Sequence, residues 1–559
     1  MARRAAGLLV DCLREQGADR LFCVPGESYL TLLDALHDAP EIQVVTCRHE
    51  GGAGFMAVAD AKITGRPGLC AVSRGPGATN VSIAIHTAEQ DAVPLVVLIG
   101  QVARRDRGRG AFQEVDYGKT FSDMAKGVWE VTDADRLPEV VARAFHVAES
   151  DTPGPVVLVL PEDMLSDTTS AEVVPRLPVA MAAPGPEDLE AVMEALARSE
   201  RPLLIAGGRL GAPAGRSALL KAAEAQDLAV ALSFKRQDNF LNDHPNFAGY
   251  LGFKIPRPQV EALGEADLVL AVGTRLTDVT TQGYTLPRAP VPGQPLVHVY
   301  PDPARIGAVF RTTIGLPVDP VAFLDRLAER PAPAVAARKA WLAALHERAR
   351  KLAAYAPLPT ADGVSFGALV DALGRKAAPD AVIVMDAGNF SSWVHRHWPW
   401  RPDNLILGTV GGAMGLGMPG AVAAALRLPD RQVLSFVGDG GMLMTGGELA
   451  TAMQHGLPLK VFVSNNRSYG TIRLHQERDY PGRVSATELT NPDFAELARA
   501  FGATGLVVET EDDIEDAVAA ALAAKGAVIV DVRASLEAIS AYTTIKQLHG
   551  AANRPKTSE

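Results

Sequence analysis

The segment Val433 to Gly470, VLSFVGDGGMLMTGGELATAMQHGLPLKVFVSNNRSYG, decides the fold. An apolar run, Val433 to Val437, ends at a Gly438-Asp439-Gly440 turn. A helix is expected from about Gly446 to His455. A second apolar run, Leu459 to Val463, then delivers the pair Asn465-Asn466. In a parallel βαβ unit both strands present their C-terminal ends at one edge of the sheet. Asp439 and Asn466 therefore meet there, although 27 positions separate them. One carboxylate and one amide oxygen, joined by a backbone carbonyl and two diphosphate oxygens, form the hard oxygen shell that Mg²⁺ requires. The glycines let backbone N–H groups come close to phosphates. A plain glycine-rich βα turn shares the Gly-Asp-Gly triplet. The spacing, the flanking strands and the asparagine pair set this segment apart from it.

Outward from this segment the chain runs to 559 residues, 47% hydrophobic and 21% charged, with a net charge of −11. That length suits about three or four soluble domains. The negative balance argues against a nucleic-acid groove or an anionic membrane surface as partner. Cys12, Cys23, Cys47 and Cys70 have no metal-like spacing and read as reduced thiols of a cytoplasmic protein. Asp11, Arg14 and Glu15 interrupt the first apolar residues, so the N-terminus reads as an amphipathic helix and not as a signal peptide. No run reaches the roughly 18 uncharged apolar residues of a membrane span.

Three blocks, 1–168, 186–329 and 360–540, alternate short apolar runs with helical patterns, which predicts three layered α/β domains with parallel sheets. The expected strands are LFCVPG, IQVVTC, GLCAVS, LVVLIGQV and the run Pro155 to Pro161 in the first block. The second has PLLIAGG, LAVALS, LVLAVG and LVHVYPD, and the third AVIVMD, VLSFVGD, LKVFVSNN and AVIVDV. Joining segments run from Ser166 to Pro186 and from Arg330 to Pro359, and a polar tail from Gly550 to Glu559.

Four further segments bear on chemistry. Glu50 follows an apolar strand and opens a small-residue helix from Gly51 to Ala61; alone, it reads as a helix-capping carboxylate. Ser73 to Asn80 is a glycine-proline loop after a strand, and Ala111-Phe112-Gln113-Glu114 reads by itself as a surface loop. Gly411 to Gly415 is glycine-rich, with Met414 among the glycines.

Taken together, nearly the whole chain resembles thiamin-diphosphate-dependent enzymes. The signatures are GDG followed after about 25 residues by NN, the glutamate motif RHEGGAGFMA, and the segments SRGPGATN, GQV, AFQEVD and VGTRLTD, which are most similar to acetolactate synthases. The resemblance implies a pyrimidine-binding, a central and a diphosphate-binding domain in that order. It implies Mg²⁺ ligation by Asp439, Asn466 and the carbonyl of Ser468, within a cradle of Gly438, Gly440, Gly441, Tyr469 and Gly470. Glu50 becomes the acid that drives the cofactor's aminopyrimidine to its reactive tautomer. The carbonyl of Gly412 accepts from that ring, Met414 wedges beneath the cofactor, Thr79 and Asn80 shape its edge, and Phe112 and Gln113 approach substrate. The glutamate of one subunit faces the diphosphate site of another, which implies a homodimer or homotetramer with the active site at the subunit interface.

The implied reaction is decarboxylation of a 2-oxo acid and ligation of the carbanion to a carbonyl acceptor. The alternatives are a simple 2-oxo acid decarboxylase, a 2-hydroxyacyl-CoA lyase or oxalyl-CoA decarboxylase-type enzyme, and a non-catalytic cofactor-binding relative. A coenzyme A pocket needs a basic cluster, to which only Arg209, Lys235 and Arg236 offer themselves. Arg473 and His475 are candidate substrate residues, and an arginine there suits a carboxylate. There are departures from the resemblance. His475 stands where the biosynthetic enzymes have tryptophan, and Gly470-Thr471 where they have Gly-Met. Gly249-Tyr250-Leu251-Gly252 replaces their flavin-contacting Gly-Met-His-Gly, which leaves FAD occupancy open.

Overall fold

Three parallel sheets of six strands each organise the chain, which the computed structural model describes over residues 2–253 and 255–552. Across the first sheet the strands are Gln43–Thr46, Arg20–Cys23, Gly68–Val72, Leu95–Gln101, Pro155–Pro161 and Gly127–Glu130. Across the third they are Leu405–Gly408, Val382–Met385, Val433–Gly438, Lys460–Ser464, Val528–Val532 and Thr504–Val508. Numbered along the chain within each sheet, both have the order 2-1-3-4-6-5. The central sheet, from Pro202–Ala206 to Ile314–Leu316, has the order 3-2-1-4-5-6 of dinucleotide-binding folds. The short strand Arg3–Arg4 pairs antiparallel with Thr168–Thr169 and ties the N-terminus to the end of the first domain.

Inner strands such as Leu95–Gln101 and Pro155–Pro161 are buried along their whole length, so they read as unbroken apolar runs. Within the three six-stranded sheets, the strands that the sequence did not signal are Gly127–Glu130, Phe247–Tyr250, Ile314–Leu316, Leu405–Gly408 and Thr504–Val508, and every one lies at a sheet edge. A second difference lies after the Gly-Asp-Gly triplet. The helix expected from Gly446 begins at Asp439 and runs to Thr445, a 3₁₀ turn covers Gly446–Glu448, and a further helix runs Leu449–Gln454. Gly438, extended at φ −77° and ψ 155°, is the N-cap, so Asp439 is the first helical residue and not part of a turn. Of the polar tail, Gly550 to Ala552 finish the helix Ile545–Ala552, and residues 553–559 lie outside the described residues.

The first and third domains share one apolar core, centred on the helices Glu50–Thr64 and Gly417–Arg427. Both helices are rich in glycine and alanine, and the two backbones pack closely. Arg427, the last residue of its helix, closes the seam with four hydrogen bonds of 2.8–2.9 Å to Asp60 and Asp19. Arg20 adds a bond of 3.2 Å to Asp60 and one of 3.1 Å to the carbonyl of Leu426.

Hydrogen bonds from Arg427 and Arg66 hold the Asp19 carboxyl well below the usual carboxylate range. A lowered folded pKa stabilises above the unfolded value of about 3.9, and that contribution fades as pH falls below it. Arg427→Ala, which leaves Asp60 to Arg20 alone, is expected to destabilise by about 3 kcal/mol near neutral pH. The melting-temperature gap between the wild type and Asp19→Asn, followed by scanning fluorimetry, should shrink as pH is lowered past about 4. A gap independent of pH would show that the ion pair does not hold the seam.

Candidate active site

Register places the first constellation. Gly438 pairs with Ser464 across the neighbouring strands, so Asp439 and Asn465-Asn466 leave the sheet side by side. Asp439 is buried, and its Oδ2 accepts from Asn491 Nδ2 at 2.8 Å and from the Ser468 N–H at 3.3 Å. Asn466 Oδ1 accepts from the same N–H at 3.1 Å. Asn491 also donates to Asn465 Oδ1 at 2.9 Å, and Asn465 donates to the buried Asp531 at 2.8 Å. Asn491 Oδ1 is buried without a partner. A Cβ at Gly470 would lie 2.9 Å from Asn389 Oδ1 and 3.0 Å from Asn466 Nδ2, so only glycine fits between these amides. The donor set is oxygen throughout, carboxylate, amide and main chain, which is the chemistry of a hard cation bridging phosphates. Burial pushes the Asp439 carboxyl up, against the hydrogen bonds it accepts; a cation beside it would reverse that shift.

The second constellation is in the first domain. Glu50 opens the helix Glu50–Thr64, is half-buried, and accepts from Asn80 Nδ2 through Oε2 at 2.9 Å. The Thr79 hydroxyl is turned back to its own helix, donating to the Pro76 carbonyl at 2.9 Å. Phe112 is 73% exposed. Gln113 beside it is held at φ +64°. Among the described residues no hydrogen bond links Glu50 to Asp439, Asn466 or Ser468.

Models of the thiamine pyrophosphate enzyme domains match in chain order: the N-terminal TPP-binding domain over residues 3–120, the central domain over 189–327, and the C-terminal TPP-binding domain over 386–532. The acetolactate synthase large subunit of Parasynechococcus marenigrum is 35% identical over 546 residues, covering 94% of this chain and 87% of that protein. The chain belongs to the thiamine pyrophosphate enzyme family. The acetolactate synthase isozyme 1 large subunit of Escherichia coli is 31% identical over 95% of this chain and 94% of its own length. The probable acetolactate synthase large subunit of Methanocaldococcus jannaschii is 29% identical over 95% and 91%. This protein is thus an acetolactate synthase-like, thiamine pyrophosphate-dependent enzyme, with Mg²⁺ as the usual partner of the cofactor. No helix among the described residues is long and apolar enough to cross a membrane.

In this thiamine pyrophosphate enzyme, residues that the motifs did not flag hold the flagged segments in place. Asp386, fully buried, ends the strand beside Val433–Gly438, at the point where the sheet order reverses. It accepts from the Ala387 N–H at 2.7 Å and the Gly415 N–H at 2.8 Å, securing one end of the loop that carries Gly412 and Met414. Burial raises its pKa. The first domain secures the other end: Asp91 accepts from the Val410 and Gly411 N–H groups at 2.7 and 3.0 Å, and Lys62 bridges Asp91 to the Gly408 carbonyl. Gly412 itself is exposed at φ +75°, and Met414 is half-buried.

The third domain returns the support through Glu448, buried at the end of the 3₁₀ turn. Its Oε1 accepts from the Arg48 and His49 N–H groups, each at 3.0 Å, and its Oε2 from Thr451 at 2.6 Å. Gly52 leaves room for it, since a Cβ there would lie 2.4 Å from Oε1. An acid one residue past an apolar strand, as in the MDAGN segment, was the readable signal for Asp386. Nothing local distinguishes Asn491 or Glu448. Of the two candidate substrate residues, Arg473 is committed through Nε to the buried Glu477 at 2.7 Å, a carboxylate it shares with His549, and His475 is half-buried.

Asp439→Ala removes the carboxylate and leaves the Asn491 amide and the Ser468 N–H without their acceptor. Affinity for thiamine pyrophosphate with Mg²⁺, titrated by tryptophan fluorescence, should fall by about 100-fold. An unchanged affinity would remove Asp439 from the cation site.

Proposed function

We propose that this enzyme decarboxylates a 2-oxo acid and joins the remaining carbon unit to a carbonyl acceptor, in a site completed by two copies of the chain. The observation that carries the reading is that an intact acid, Glu50 held by Asn80, and an intact oxygen cage, Asp439 and Asn466, stand in one chain whose relatives are named acetolactate synthase. When bound, the cofactor supplies the electron sink that decarboxylation of a 2-oxo acid needs. Asp439, Asn466 and the Ser468 carbonyl would hold Mg²⁺ against its diphosphate, with the glycines 438, 440, 441 and 470 and Tyr469 around them. Asn80 fixes one oxygen of Glu50 and leaves the other to hold a proton at the aminopyrimidine. The Gly412 carbonyl would accept from the same ring, and Met414 would support the cofactor from below.

Leu443 and Met444, each 49% exposed, lie on the helix that begins at Asp439, and their apolar surface supports cover by a second copy at this place. Phe112 and Gln113, on an exposed loop of the first domain, would then face the partner's cofactor. Relatives named acetolactate synthase favour pyruvate as donor.

Pyruvate, Mg²⁺ and thiamine pyrophosphate are expected to yield CO₂ and acetolactate, identified by mass. Glu50→Gln should bind the cofactor within about threefold of wild type while turnover drops by about 10² to 10⁴. Acetaldehyde as sole product would point to simple decarboxylation. An absence of CO₂ from a panel of 2-oxo acids would sink the reading.

A further inference from the structure

Where the central domain meets the third sheet, the chain buries a lysine whose ammonium has no hydrogen-bond or ion-pair partner among the described residues. Lys235 is 3% exposed and stands at φ +56°, a left-handed conformation that a lysine rarely adopts. Its stem lies against Gly408, where a Cβ would be 3.1 Å from Cδ and 3.2 Å from Nζ. Gly408 ends the strand from which the loop to Gly412 and Met414 departs. The ammonium also lies 5.5 Å from the centroid of the Phe234 ring.

The nearby carboxylates are already engaged. Asp91 accepts from Lys62, Val410 and Gly411, and Asp386 from Ala387 and Gly415. Among the described residues Lys235 Nζ makes neither a hydrogen bond nor an ion pair, in contrast to the paired Lys62. Desolvation lowers its pKa to about 8, the mark of a cation with too little compensation.

A second group in the same place is also unsatisfied. His395 is buried, and its ring lies 5.6 Å from that of Phe234. Gln237 Nε2 and His395 Nδ1 lie 2.7 Å apart in a hydrogen bond. The buried His395 Nε2 has no partner. Burial and the charge of Lys235 hold the His395 pKa well below its ordinary value, so the ring remains neutral. Phe234, Tyr250 and Phe253 supply an aromatic wall. An ammonium and an imidazole nitrogen, neither with a hydrogen-bond partner among the described residues, flank the Phe234 ring at the edge of the sheet that carries the cofactor segments. An ammonium left so short of compensation calls for an anion.

We propose that Lys235, with His395, is the binding site for the carboxylate of the 2-oxo acid, a role that rests on the reaction proposed above. Lactate, a carboxylate that lacks the 2-oxo group, is the probe, with lactamide as its uncharged counterpart. By calorimetry the holoenzyme should bind lactate and ignore lactamide. Lys235→Met should weaken lactate by 20-fold or more and raise the KM for pyruvate to a similar degree, with kcat changed less than threefold. Lys235→Arg should recover most of the affinity.

Replacing a buried unpaired charge by an apolar side chain of similar shape should also leave the melting temperature equal or higher, whereas Lys62→Met should lower it. If Lys235→Met does not fold, Lys235→Gln serves the same titrations. Equal lactate affinity in wild type and variant, no lactate binding by the wild type, or a sharp loss of stability in both Lys235 variants would overturn the assignment. Lysine-dependent lactate binding in an enzyme that releases no CO₂ from any 2-oxo acid would instead count against the proposed reaction and leave the carboxylate site standing.

Discussion

The contact between the helices Glu50–Thr64 and Gly417–Arg427 is the constraint on which the rest depends. Both are rich in glycine and alanine, so they gain through backbone proximity and dispersion what larger helices gain through interdigitated side chains. A leucine in either face would drive the two sheets apart. One helix begins at the proposed proton-relay acid, and the other is entered from the loop that bears Gly412 and Met414. The spacing of these helices therefore sets where each functional segment can point. Arg427, with Asp19 and Asp60, fixes their register at one end of the seam.

Around this contact the two domains exchange buried carboxylates. Glu448 of the third domain receives the two N–H groups that lead into the Glu50 helix, and Asp91 of the first receives two from the loop ahead of Met414. Such groups add little net stability once their desolvation is counted. Their worth lies in orientation, because acid–base chemistry depends on the placement of a proton to within a fraction of an ångström. Each domain thus aligns a functional segment of the other.

Local turn chemistry made half of the site legible. Gly438-Asp439-Gly440 and Asn465-Asn466 sit at strand ends where glycine and asparagine have few other uses, and the two strands are neighbours in sheet and chain. Asn491 and Glu448 were not legible, because their partners are supplied by tertiary structure; Glu448 meets residues 399 and 400 positions away. The same division holds for the sheets. Inner strands such as Val156 to Leu160 announce themselves because both faces are buried, whereas the edge strand Gly127–Glu130, with its exposed Glu130, looks like loop. The helix start was misplaced because Gly440 and Gly441 read as turn residues, while Gly438 acts as a cap that lets the helix begin at once.

The common strand order of the first and third sheets has a further meaning. In each, the helix at the seam is the one that follows the second strand and precedes the third, so equivalent elements meet there. The two halves thus share one topology and one packing element, and they divide the work: the acid lies in the first and the oxygen cage in the third. A second copy of the chain would then repeat, between molecules, a mode of pairing already present within each one.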